Sequence, residues 1–182
     1  MTKLTTPVGR SAFSVLNEAL GWKGAETNRK FIQRVAFSKE VGEVLVKEIQ
    51  AEAERLFAVE VERAKAKGQP GRFAQAPINY REDGGEILLT FNRREVDGPP
   101  VAVDSSNKAL STQVPRDAGV QVAYEILPYV MNNTFGITLK MLAVKVTSAT
   151  MSVEAAAALF GGVEEAPVKT SLPKEEDIND LF

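Results

Sequence analysis

Phe31, Gln33, Val35 and Phe37 alternate with Ile32, Arg34 and Ala36, and a period of two marks a strand with one face turned inward. The same period runs through Val120, Val122, Tyr124 and Ile126, and again through residues 137–146. Between the first of these stretches and the second the period changes. Val41, Val44, Leu45, Ile49, Ala53, Leu56, Phe57, Val61 and Ala64 recur at spacings of three and four, which makes one apolar stripe on a long helix. Ser38 stands at its start as a cap and Gly68 at its end as a stop. Glu43, Lys47 and Glu54 fall on the opposite face, so the helix reads as a core-packing element with a solvated back.

Shorter strands are expected at residues 9–16, with Ala12 or Phe13 inward, and at 86–94 and 101–104. Gly84 and Gly85, the run 97–100, the run 104–107, and Asn132 with Asn133 supply turns. Pro128 and Tyr129 are expected to break the strand that begins at Val120, and residues 21–28 to form a loop holding Trp22. Five or six strands with one long helix, and no alternation of strand and helix, predict a mainly β protein. The expected fold is a five-stranded OB-type Greek-key barrel with one long inserted α-helix. Residues 152–159 suggest a short helix, and Gly161 with Gly162 a hinge. The division that follows is a domain over 1–160 and a flexible acidic C-terminal tail over 161–182, which has too few large apolar residues to fold alone.

Charge sharpens that division. The net charge of −2 is unevenly spread. Residues 163–182 hold six carboxylates against two lysines, a net −4, which leaves +2 on the rest of the chain. Such asymmetry points to an interaction tail. The absence of Cys and His excludes zinc sites and Cys-His or Ser-His catalysis, and no phosphate-binding glycine loop follows a strand. No cofactor and no resident metal are expected. A small nuclease built on carboxylates and Mg²⁺ would have only Asp104 suggestively placed. No apolar run approaches the length of a membrane span, and the first residues lack the apolar core of a signal peptide, so an intracellular protein is expected.

The order of segments resembles the single-stranded DNA-binding proteins of T-seven-like podophages and related phages. The resemblance rests on residues 101–105, then on 120–129 with Tyr129 at their end, then on Asn132, Gly136 and an alternating strand. A long amphipathic helix in the first half and an acidic end with a terminal phenylalanine, Asp177, Ile178, Asn179, Asp180, Leu181 and Phe182, complete it. The tail here is shorter and less acidic than in that family. Thr90 and Asn92 stand where the family has a lysine-rich strand, with Arg93 and Arg94 displaced along it.

The resemblance implies an OB fold that binds single-stranded DNA without sequence preference and without catalysis. It implies roles in DNA replication, recombination and repair, in the cytoplasm of an infected bacterial host. It also implies contacts with the phage DNA polymerase and helicase-primase through Asp177, Asp180, Leu181 and Phe182, and it leaves a homodimer open. Single-strand binders combine a basic groove with aromatic platforms. Tyr129 matches the family's stacking tyrosine; its alternative is packing at the barrel end. Tyr124 and Phe91 alternate with core residues and are expected inside. Trp22 is a second stacking candidate, or an interface residue. Lys3, Arg93, Arg94 and Lys140, with Asn92 between them, are the candidate DNA contacts, each weighed against an ordinary surface position. Arg29, Lys30, Arg34, Arg72 and Arg81 stand behind them. A phage structural or adaptor protein with the same β core and peptide tail is the alternative function.

Overall fold

The computed structural model describes residues 3–21, 28–68, 73–110 and 113–148. Trp22, Arg72, the short helix at 152–159, the Gly161–Gly162 hinge and the whole tail with Asp177, Asp180, Leu181 and Phe182 lie outside the described residues. The described chain forms nine strands and one long helix: β1 Leu4–Thr5, β2 Gly9–Leu20, β3 Lys30–Ser38, α1 Lys39–Ala66, β4 Ala74–Gln75, β5 Tyr80–Asp83, β6 Glu86–Arg94, β7 Val101–Val103, β8 Gly119–Met131 and β9 Thr134–Ser148.

Five of the strands close a circuit. β2 pairs with β3, β3 with β6, β6 with β9, β9 with β8, and β8 returns to β2. All of these pairs are antiparallel except β6–β9. This is the five-stranded Greek-key barrel expected from the sequence. The helix is inserted between β3 and β6. The circuit is not equally tight all round. β3 and β6 pair along their whole length, from Lys30↔Arg94 to Ser38↔Glu86. β6 and β9 meet in a single parallel bridge, Asn92↔Lys140. The barrel therefore has a seam there.

The inner faces hold the core. Phe31, Gln33, Val35 and Phe37 face inward from β3 as their alternation predicts, and Leu89 with Phe91 faces them from β6. Tyr124 is 2% exposed and meets Phe91 edge to face, with ring centroids 5.1 Å apart at 62°. Leu45 and Ile49 of α1 join this cluster, so the helix closes one side of the barrel interior. Gly42 lets it come close: a Cβ there would stand 2.5 Å from Cβ of Ile87.

Several expectations need correction. On β2 neither Ala12 nor Phe13 is buried; Ser11, Ser14 and Leu16 are. A register shift between Ser11 and Phe13 puts an extra residue into the strand and exchanges its faces. Ser38 occupies the N-cap position, but its side chain makes no capping hydrogen bond. Val41 and Val44 are 38% and 57% exposed, because Gly42 and Leu45 make the contact that the stripe had assigned to them. Pro128 does not end its strand. β8 continues to Met131, with Pro128 opposite Ile137 and Tyr129 opposite Gly136. Proline is tolerated because β1 pairs with β8 only at Ala123 and Tyr124, so no described strand asks for the missing N–H on that edge. Asp104 is a turn-maker: its Oδ1 accepts the backbone N–H groups of Ser106 at 2.8 Å and Lys108 at 2.9 Å. Among the described residues no cluster of acidic side chains is placed to hold a metal ion. Among them, too, no helix is long and apolar enough to cross a membrane.

Candidate nucleic-acid interface

Side chains alternate along a strand, so the outer face of the barrel is set by the residues between the core positions. On β6 these are Thr90, Asn92 and Arg94; on β9 they are Gly136, Thr138 and Lys140; on β8 they include Leu127 and Tyr129. All of these except Gly136 line an open groove of about 660 Å³ that runs across the seam. Five of the seven sequence candidates for DNA contact fall in it: Asn92, Arg93, Arg94, Tyr129 and Lys140. Lys3 is exposed at the start of β1 and does not line the groove. Trp22 is outside the described residues.

Tyr129 and Tyr124 are an odd number of positions apart, which sends one ring out and the other in. Tyr124 is enclosed, and burial pushes its phenol up to about 12, with the Glu48 carboxylate adding to the effect. Tyr129 is 45% exposed on the arm that β8 and β9 extend beyond the barrel. That arm turns at Asn132 and Asn133, whose φ values of 50° and 58° suit a two-residue hairpin turn.

The cations differ in what they are free to do. Arg93 donates from Nε to the Gly98 carbonyl at 2.7 Å, from Nη2 to the Asp97 carbonyl at 2.5 Å and from Nη1 to the Met141 carbonyl at 3.5 Å. Three of its five N–H donors thus tie the turn at Glu95–Asp97 to β9. It builds the groove wall. Arg94 and Lys140 converge instead on one carboxylate. Arg94 reaches Asp97 at 3.4 Å and 3.5 Å, and Lys140 Nζ lies 3.4 Å from Asp97 Oδ2. The Arg94 hydrogen bond chiefly, then Lys140, holds the Asp97 carboxyl below the usual carboxylate range. Asn92 donates to Thr138 Oγ1 at 3.3 Å and stitches the seam beside them.

Two further residues line the groove: Lys30, which the sequence placed behind the main candidates, and Asp97, which it offered only as part of a turn. Lys30 lines the groove because its strand position pairs with Arg94, and burial lowers its ammonium pKa. Its phase with Arg34, both on the outer face of β3, was the available signal. Arg29 lies elsewhere, held by the Ala19 carbonyl, Glu18 and Glu95.

The strands define a fold, a five-stranded OB-type barrel, with an open groove across the β6–β9 seam. The solved structures it is similar to are specific. The single-stranded DNA-binding protein gp2.5 encoded by bacteriophage T7 superposes with a TM-score of 0.66 over 91% of this chain and 99% of its own, at 16% identity. The single-stranded DNA-binding protein of bacteriophage Enc34, in complex with single-stranded DNA, superposes with a TM-score of 0.57 over 81% of this chain and 87% of its own, at 11% identity. No protein-family model matches the sequence, and no curated protein matches it.

Proposed function

We propose that this protein binds single-stranded DNA non-catalytically, with bases stacking on Tyr129 and phosphates meeting Arg94, Lys140 and Lys30. The carrying observation is one open groove that places an exposed aromatic ring beside cations on the outer face of an OB barrel. The fold shared with the two phage proteins supports it. A single strand can lay unpaired bases on such a ring; a duplex hides their faces in its own stack. In this reading residues 1–160 are the binding domain and 161–182 an interaction tail. The protein then acts in replication and recombination in the cytoplasm of an infected bacterium. Its tail recruits the phage polymerase and helicase-primase through Leu181 and Phe182, steered by Asp177 and Asp180.

Fluorescence titration tests the central claim. Labelled oligo-dT should bind far better than a duplex of the same length, and affinity should fall steeply with salt as counterions are released. Equal affinity for the two forms, or indifference to both, would remove the proposal and favour a structural or adaptor role.

Asp97 gives a second test. Its carboxylate offers Arg94 and Lys140 an anion that a phosphate must displace. Asp97→Asn is expected to raise oligo-dT affinity at low salt by about two- to fivefold, the scale of an exposed ion pair. Because the carboxyl is held below its usual range, it stays ionised near neutrality, and mild acidification should not reproduce the gain. Lower affinity in the variant would show that Asp97 serves to orient the cations.

A further inference from the structure

Tyr129 on β8 stands directly across from Gly136 on β9. A Cβ on Gly136 would lie 2.5 Å from both Cζ and Oη of that ring and 2.9 Å from Cε1. Non-bonded carbons settle at roughly 3.5–4.0 Å, so the ring already fills the volume that any side chain at 136 would claim. The backbone gives no other reason for glycine here. Gly136 is not among the glycines with positive φ, and the nearby turn is made by Asn132 and Asn133. A glycine inside a strand costs stability relative to alanine, so its presence at a buried strand position calls for a packing reason.

We infer that Gly136 is a positioning residue for the Tyr129 platform. By presenting no side chain, it lets the phenol ring settle against the β9 backbone and stay in the groove with Arg94 and Lys140. A ring at the end of an exposed arm would otherwise rotate freely, and a base would have to immobilise it on binding; a ring already seated spares that cost. The inference rests on the single-strand reading and deepens it.

Four proteins decide it: the unaltered chain, Gly136→Ala, Tyr129→Ala and the double variant, each titrated with oligo-dT and melted. The half-exposed ring yields to an alanine by swinging outward. Gly136→Ala should therefore melt at or above the unaltered temperature, yet bind oligo-dT about fivefold or more weakly, the lower end of the range for losing one stacked base. In the Tyr129→Ala background the same change should leave affinity within about twofold, since no ring remains to move. Unchanged affinity in the single variant would overturn the inference. So would an equal loss in both backgrounds, which would mean that DNA, and not the ring, needs the space. The Gly136 α-protons report the contact without DNA, through a ring-current shift that should collapse in Tyr129→Leu. If that shift is absent, the contact is wrong whatever the titrations show. If it is present but the unaltered chain ignores oligo-dT, the single-strand reading fails and the ring has no platform role.

Discussion

Tyr129→Ala is expected to weaken oligo-dT binding by about five- to hundredfold, because base–aromatic stacking is worth about 1–3 kcal/mol per base. The melting temperature should hardly move. The ring is 45% exposed and lies beyond the core cluster, so little apolar area returns to water when it is removed. The two readouts must separate. A variant that unfolds, or one that binds as well as the unaltered chain, would strip Tyr129 of its role. Tyr129→Phe should keep most of the affinity, since stacking uses the ring face and not the hydroxyl.

The second large effect belongs to the other tyrosine, on the opposite face of the same strand. Tyr124→Ala is expected to cost about 3–5 kcal/mol of stability, as for other large aromatic-to-alanine changes in a core. The ring is 2% exposed and packs edge to face on Phe91, so its loss leaves a hole the barrel cannot easily close. For a chain of this size the melting temperature should fall by on the order of 10 °C. Phenol ionisation supplies an independent reading. The folded phenol is held at about 12 by burial, with Glu48 adding to it, above the ordinary value of 10.0. Its contribution to stability is whole below pH 10 and declines as pH rises toward 12, because the unfolded chain releases the proton first. Tyr124→Phe should flatten that alkaline decline. A variant that declines as before would place the titrating group elsewhere.

These tyrosines show how far a sequence carries. Their opposite fates follow from the period of two alone, given that the strand continues through Pro128. It does continue, for a reason that local chemistry cannot supply: whether a missing N–H matters depends on which strand lies along that edge. β3 was legible throughout because its inner face is apolar or enclosed. Tyr80–Asp83, the strand β5, was not, since all four of its residues are exposed and only the ladder to β6 defines it. The bulge at Ala12 escaped notice because Ser11 and Ser14, its interior residues, are not apolar.

The site divides in the same way. Composition and residue order determined the mainly β class, the long helix between two strands, the turns at the glycines and asparagines, the unequal charge along the chain, and the choice of Tyr129 and the cations of β6 and β9 as candidates. Tertiary structure alone decided what each of those cations does. Arg93 and Arg94 are neighbours in the chain, yet a strand sends them to opposite faces. One is consumed by carbonyls of the Glu95–Asp97 turn and β9, and the other shares Asp97 with Lys140 from a strand 46 residues away by the Asn92–Thr138 stitch. The seating of Tyr129 on Gly136 depends on the register of β8 against β9. Periodicity says which face a residue takes, a local property of the backbone. What stands opposite it is fixed by which strands pair and in what register, and that is settled only when the barrel closes.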